Sequence, residues 1–254
     1  MISSHPRIHF GTAAPRRHLA CLATALLILL PPGIAAAQEI IIQNDDGPGE
    51  GLNDPTVVAP LAGNSATTRG GQRLAAFIHG ADVVASRLQL TVDVVVSAKF
   101  DPLDCDETGA VLGAAGPRQI YRLEDDVYYT AAQANHIRGE DLSPQYPEIR
   151  AFFNADYGVS CPTANTANGR GWYYGLDQNP GAGQVDFATV VIHEITHGLG
   201  FLSLVNKETG AKFNGYDDAY SSLLEDGSTG KSWSAMSDAE RQASVTDTGD
   251  LLWA

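Results

Sequence analysis

Residues 186–200, DFATVVIHEITHGLG, constrain the fold more than any other segment because both of their ends carry helix signals. Asp186 is a typical N-cap residue, and Gly198 and Gly200 are typical of a helix C-terminus. Between them, apolar residues recur at the spacing of one helix face. The sequence therefore predicts an amphipathic helix here, and the domain must bury its apolar side.

The centre of this helix reads His193-Glu194-Ile195-Thr196-His197. A spacing of four residues places both imidazoles on one helix face, one turn apart. Two neutral imidazole nitrogens in that arrangement fit two corners of a tetrahedral zinc site. The pattern predicts a hydrolytic metal centre, with His193 and His197 as metal ligands and Glu194 as the general base. The alternative is an incidental pair of surface histidines.

Gly200 follows His193 by seven residues, and this HExxHxxG pattern resembles the metzincin branch of the zincin metallopeptidases. Residues 71–77, 171–177, 190–205 and 236–244 resemble a group of secreted, mostly uncharacterised bacterial zincin-like proteins. The resemblance covers nearly the whole chain after residue 37. It implies a zincin-like α+β fold and zinc-dependent hydrolysis of peptide bonds in a protein or peptide substrate.

The chain departs from the metzincin pattern at the third metal ligand. A metzincin carries His or Asp three residues after the glycine, where this chain has Ser203, a poor zinc ligand. His79 and His136 are the other histidines beyond residue 37, and we interpret both as solvated side chains. The third ligand is therefore expected elsewhere, downstream of the helix.

Downstream carboxylates supply the candidates for that ligand. Besides Glu208, the stretch 214–220, NGYDDAY, places an Asp shortly before a Tyr, which resembles the aspzincin arrangement. By this analogy we predict Asp218 as the third zinc ligand, with Asp217 as the alternative. Tyr220, or else Tyr216, is predicted to donate a hydrogen bond to the tetrahedral oxyanion. The structural alternative is that the two aspartates cap a turn.

The first 37 residues have the three parts of a secretory signal peptide. A basic stretch ends at Arg17, an apolar run covers 19–30, and a small-residue cleavage signal ends at Ala37. The run is shorter than the roughly 20 apolar residues that a bilayer span needs. We predict cleavage after Ala37, a mature domain over 38–254 without stable membrane insertion, and a secreted or periplasmic location.

Charge and cysteine content fit an extracellular protein. The chain has 16 basic and 30 acidic residues, and beyond residue 37 the balance is 13 against 30, a formal charge of −17. So acidic a surface repels phosphate backbones and anionic lipid, which argues against nucleic acid or a membrane as partner. The two cysteines left after cleavage, Cys105 and Cys161, are predicted to form a disulfide.

Patterns in the rest of the chain predict a layered α+β domain with a twisted mixed sheet backed by helices. Helices are expected over 70–88, where Ile78 belongs to the apolar stripe, and over 131–137. Strands are expected at 39–42, 90–96, 119–123, 127–130 and 149–154. The aromatic stretch 171–177 is predicted to be an edge strand that pairs with an extended peptide, with burial in the core as the alternative. Met236 is interpreted as an ordinary buried methionine.

Two further features keep other functions open. The loop 44–54, NDDGPGEGLND, carries four carboxylates; we interpret it as a solvated turn, with a Ca²⁺ site as the alternative. That alternative favours a calcium-dependent adhesion or inhibitor-like protein. Ser203 favours a catalytically inactive, zincin-like secreted binding domain. The apolar ending 251–254 suits entry into another strand, so we expect the natural chain to continue.

Overall fold

Single helices separate groups of strands along the chain, giving a mixed α+β fold. The computed structural model describes residues 38–164 and 169–253, so the predicted signal peptide lies outside the described residues. In chain order, and apart from short 3-10 turns, the elements are β1 (Ile40–Asn44), α1 (Arg69–Ala85), β2 (Val94–Asp101), β3 (Gly113–Pro117), β4 (Ile120–Arg122), β5 (Tyr128–Thr130), α2 (Ala131–Arg138), β6 (Ile149–Asn154), β7 (Gly171–Tyr173), β8 (Gln184–Asp186), α3 (Phe187–Gly198), β9 (Leu224–Asp226), β10 (Lys231–Ser232), α4 (Asp238–Thr246) and β11 (Leu251–Trp253). Within that part of the chain, no helix is long and apolar enough to cross a bilayer.

Four strands form the main sheet in the order β1–β2–β6–β3. The first three run parallel to one another, and β3 runs antiparallel to β6 at one edge. In β2 every second side chain is buried, namely Val94, Val96, Ala98 and Phe100. The sheet is therefore mixed, as the sequence predicts, and α3 contacts its antiparallel strand β3 and the neighbouring β6.

Helices α1 and α3 pack against each other on this sheet, and a glycine sets their spacing. A Cβ added at Gly80 of α1 would lie 3.0 Å from the carbonyl oxygen of Ala188 in α3. Four phenylalanine rings fill the space between helices and sheet in tilted or edge-to-face contacts: Phe77, Phe100, Phe153 and Phe187. This core holds α3 in place over β6 and β3.

Most of the predicted elements are confirmed within one to four residues at their ends. The strand predicted at 90–96 begins only at Val94 and continues to Asp101, because its limits follow the pairing with β1 and β6. Ile78, predicted to face the core, is 44% exposed, and Gly80 and Ala81 are buried on the packed side of α1. The sequence patterns did not identify β3.

A smaller core lies downstream of α3. Leu224, Trp233 and Met236 form it, between the three-stranded sheet β10–β9–β11 and α4. The indole Nε1 of Trp233 donates to the Ser244 hydroxyl of α4 at 3.0 Å. Met236 is buried, as its interpretation required.

The predicted disulfide is present between Cys105 and Cys161, whose Cα atoms lie 5.7 Å apart. It joins the segment after β2 to the turn after β6. Because the two residues are 56 positions apart, the bond closes a loop that contains β3 to β6.

Gly198 allows α3 to lie close to the central strand β6. A Cβ added there would lie 2.5 Å from Cγ2 of Ile149, which is fully buried. We expect Gly198→Val to lower the free energy of unfolding by about 3 kcal/mol, since overpacking a rigid core displaces neighbouring side chains. Urea unfolding measures this loss. Gly116→Val in β3 is the matched control because a Cβ at Gly116 meets no atom within 4 Å; an equal loss in both variants would contradict the close packing of Gly198.

Candidate metal centre

The helix that carries the histidines is fixed at both ends by specific contacts. At its start, Oδ1 of the N-cap Asp186 accepts a hydrogen bond from the Thr189 amide at 2.7 Å. At its end, Gly200 has a φ of +117°, and a Cβ there would lie 2.3 Å from Nε2 of Gln133. Gly200 therefore lets the chain leave α3 in a backbone conformation that other residues rarely adopt.

The two histidines present their Nε2 atoms to each other at 3.0 Å, with His193 exposed to solvent. Nδ1 of His197 lies 2.8 Å from the carbonyl oxygen of Phe201. A carbonyl only accepts hydrogen bonds, so this contact places the proton of neutral His197 on Nδ1 and leaves the Nε2 lone pair facing His193. The spacing is close to that of two nitrogen ligands on one zinc ion, each about 2.0–2.1 Å from the metal.

Glu194 is buried and lies against the antiparallel edge strand. Its side chain is 7% exposed, and a Cβ added at Gly113 of β3 would lie 3.1 Å from its Cγ. Within the part of the chain that the structure describes, the Glu194 carboxylate makes no hydrogen bond to protein, and it is not among the side-chain atoms that are fully buried without a partner. The carboxylate is therefore free to accept a proton at the edge of β3.

Phe201 orients His197 through its backbone and is itself held by two aromatic rings. The Phe201 ring lies 4.9 Å from Tyr220 and 5.1 Å from Trp253, measured between centroids. Tyr220 thus contacts the residue that positions one of the histidines, and its role as a hydrogen-bond donor stays a prediction. Sequence reasoning missed Phe201, because a backbone carbonyl leaves no trace in the residue type.

The two candidate aspartates are engaged with other partners. Asp218 is 4% exposed, and its two oxygens accept hydrogen bonds from the amides of Leu204 and Ser221 at 2.9 and 2.8 Å. Asp217 forms an ion pair with Lys212 at 2.8 Å. Among residues 38–164 and 169–253, no three His, Cys, Asp or Glu side chains are arranged to hold a metal ion. The structure thus brings His193 and His197 together without either aspartate, and the third ligand stays a prediction.

Ser203 and the two described histidines outside α3 lie in other parts of the fold. Ser203 is hydrogen bonded to the Ser221 hydroxyl at 2.7 Å, so it belongs to the same loop network as Asp218. His136 is exposed, with Nδ1 3.0 Å from the Thr91 hydroxyl. His79 is half-buried on α1. Neither of these histidines joins a metal-binding group among the described residues.

The aromatic stretch at β7 is buried, as the core alternative requires, and its pairing with an extended peptide stays a prediction. β7 pairs parallel with β8, and Trp172, Tyr173 and Tyr174 are all buried. The indole of Trp172 donates to the Asn154 carbonyl at 3.0 Å and packs edge-on against Phe187. The strand that borders Glu194 is instead β3.

The acidic loop 44–54 is organised by its own hydrogen bonds. The Asp46 carboxylate accepts from the amides of Leu52 and Phe100 at 2.6 and 2.9 Å, and burial raises the pKa of this carboxyl. The side-chain amide nitrogen Nδ2 of Asn53 donates to the carbonyls of Asp46 and Gly47. These contacts account for a turn, and a calcium ion there stays a prediction.

Comparison with known proteins identifies a family and no individual relative. The model of a family described as SPBPB7E8-like matches residues 76–225, which are 150 of the 254 residues. The matched region contains most of α1, three strands of the main sheet and the whole of α3. No curated protein matches the chain, and no solved structure does.

Proposed function

The chain belongs to the SPBPB7E8-like family, and because that description names no activity, we propose from its site that the protein is a secreted zinc-dependent endopeptidase. The observation that carries the proposal is the convergence of the two Nε2 atoms of His193 and His197, 3.0 Å apart, next to Glu194, a buried residue whose carboxylate is not fully enclosed. A purely structural zinc site has no need of a carboxylate between its ligands. The disulfide supports an oxidising compartment, secreted or periplasmic.

The residues present fit zinc at two coordination positions. The Phe201 carbonyl accepts a hydrogen bond from Nδ1 of His197, which leaves the Nε2 lone pair available for a metal. Such second contacts orient histidine ligands in metal sites. Asp218 is the predicted third ligand, in the segment that follows α3. When bound, zinc would supply Lewis-acid chemistry. It would also lower the pKa of its bound water to a value near neutrality.

Glu194 is the group that moves the proton. Its carboxylate accepts a proton from the attacking water as the water oxygen bonds to the carbonyl carbon of the peptide. The same carboxyl then gives that proton to the departing nitrogen as the C–N bond breaks. Glu194 lies close to β3, so a peptide extended along that strand would lie next to its carboxylate.

β3 offers such a peptide a backbone edge. Among the described strands it pairs on one side only, with β6. An unpaired strand edge binds an extended chain through main-chain hydrogen bonds, which gives affinity without requiring a particular sequence. The sequence implies a zincin-like fold with an edge strand beside the site. We therefore propose that β3 is this edge strand.

Casein hydrolysis by the purified protein tests the proposal. We expect fragments to appear with time, a metal chelator to stop the reaction, and added zinc to restore it. A stable protein that leaves casein and a mixture of short peptides intact at any zinc concentration would reject the peptidase function.

The contacts of Asp218 favour one alternative, a zincin-like secreted binding domain without catalytic activity. Both carboxylate oxygens of Asp218 already accept backbone amides, and Ser203 stands at the usual ligand position. Bound zinc without hydrolysis would support this alternative.

Zinc content of two matched variants tests Asp218 as the third ligand. We expect Asp218→Asn to weaken zinc binding at least tenfold, since a neutral amide is a much poorer ligand than a carboxylate, while Asp217→Asn leaves it unchanged. Asn keeps one oxygen that can accept an amide hydrogen bond, so the fold of this variant is preserved better than by Ala. The reverse order of the two variants would move the ligand to Asp217.

A further inference from the structure

The end of α3 folds back so that Phe201 both closes the helix and contacts a histidine. The Phe201 amide donates to the Thr196 carbonyl at 3.1 Å, and the Gly200 amide donates to the His197 carbonyl at 3.1 Å. These two bonds form a Schellman motif, in which the residue with positive φ is the glycine. The Phe201 carbonyl accepts from Nδ1 of His197 at 2.8 Å. The orientation of the His197 ring therefore depends on where Phe201 lies.

The side chain of Phe201 belongs to a cluster of three aromatic rings. Its centroid lies 4.9 Å from that of Tyr220 and 5.1 Å from that of Trp253, and the last two are 5.1 Å apart. Rings at these separations attract one another beyond the effect of burial alone. Because Phe201 is 44% exposed, its side chain is held more by these ring contacts than by enclosure in a core.

Trp253 brings a distant part of the chain to this cluster. It lies on β11, where it pairs with Leu224 of β9. Leu224 belongs to the smaller core downstream of α3, and Tyr220 packs against that same core. The aromatic cluster therefore joins the smaller core to the end of the helix that carries the histidines.

We propose that Trp253 is a positioning residue for the metal centre. Through the Phe201 ring it holds the Phe201 carbonyl against Nδ1 of His197, and this contact keeps the Nε2 lone pair turned toward His193. Contacts behind a histidine ligand commonly change metal affinity by about 10–100-fold, because they fix its tautomer and its ring orientation. The inference rests on the proposed function, since it takes His197 as a zinc ligand.

Nitrogen-15 NMR of the metal-free protein, recorded where imidazole is neutral, tests the proposal without zinc or substrate. In the wild type we expect the His197 proton on Nδ1, the nitrogen that faces a carbonyl. Trp253→Ala should release the Phe201 carbonyl and give a mixture of both tautomers. Trp253→Phe keeps an aromatic ring and should restore the single tautomer. The His197 signals are identified by their loss in His197→Ala.

Zinc affinity is the second readout. We expect Trp253→Ala to weaken zinc binding about tenfold, at the low end of the range for contacts behind a ligand, and Trp253→Phe to recover most of this loss. Leu252→Ala is the matched control, because Leu252 is the neighbouring residue of β11, is 51% exposed, and lies next to Gly227. This control should change neither the tautomer nor the zinc affinity.

Trp253 is 52% exposed, so we expect its replacement to leave the fold intact. If Trp253→Ala does not fold, Trp253→Leu keeps an apolar contact without a ring and should show the same effects. The proposal is overturned if the folded variant without the ring keeps the wild-type tautomer or the wild-type zinc affinity, or if Leu252→Ala alters them equally. A wild type that binds no zinc would reject the proposed function, and the tautomer comparison would then decide the role of Trp253 by itself.

Discussion

We expect Glu194→Gln to remove most of the proposed peptide hydrolysis and to leave zinc binding intact. Gln has nearly the same shape as Glu and keeps the packing against Gly113, but it cannot accept the proton of the attacking water. General-base catalysis contributes about 10²–10⁴-fold, so we expect casein hydrolysis to fall by at least a factor of about 10². Initial rates and zinc content are measured on the same preparations.

Glu140→Gln is the control for this variant, since Glu140 is an exposed carboxylate just after α2 and is not a candidate ligand. Its activity should equal that of the wild type. Undiminished turnover in Glu194→Gln would remove Glu194 from the mechanism. Loss of zinc together with activity would instead show that Glu194 supports the metal centre structurally.

Loss of the disulfide has the largest expected effect on stability. The bond between Cys105 and Cys161 closes a loop of 56 positions. In the chain-entropy account, a closed loop of that length lowers the entropy of the unfolded chain and thereby raises the free energy of unfolding by about 4 kcal/mol. We expect the Cys105→Ser/Cys161→Ser double variant to unfold at a much lower urea concentration. The measurement is the unfolding midpoint with and without reductant.

Reductant should lower the midpoint of the wild type to that of the double variant and leave the double variant unchanged. A wild type that is insensitive to complete reduction would show that the folded loops, held by their other contacts, do not need the bond. Thiol titration before and after reduction establishes that the bond has been broken.

Local signals in the sequence predicted the elements that they specify directly. α3 begins at the Asp186 cap and ends at Gly198, and β6 has the predicted bounds, with Ile149, Phe152 and Phe153 as its strand-forming residues. The histidine pair follows from helix periodicity alone. These features depend on neighbours within one or two turns of chain, which a single sequence contains.

Features that depend on distant partners were not predictable in the same way. β3 reads GAAGP, which carries no strand pattern, and it exists because β6 supplies its hydrogen-bond partners. The aromatic run at Trp172 is typical of a buried strand as well as of an edge strand. Packing against Phe187 places the Trp172 ring in the core. The role of Phe201 resides in its carbonyl, and the amide partners of Asp218 come from two separate turns.

Zinc stoichiometry of the wild type and of His197→Ala tests the central claim most directly, with His136→Ala as the control on an exposed histidine. The convergence of His193 and His197 predicts one tightly bound zinc per chain in the wild type and in His136→Ala. It predicts loss of that zinc in His197→Ala, which retains the fold. A wild type that binds no zinc, or a His197→Ala protein that keeps it, would contradict the metal centre.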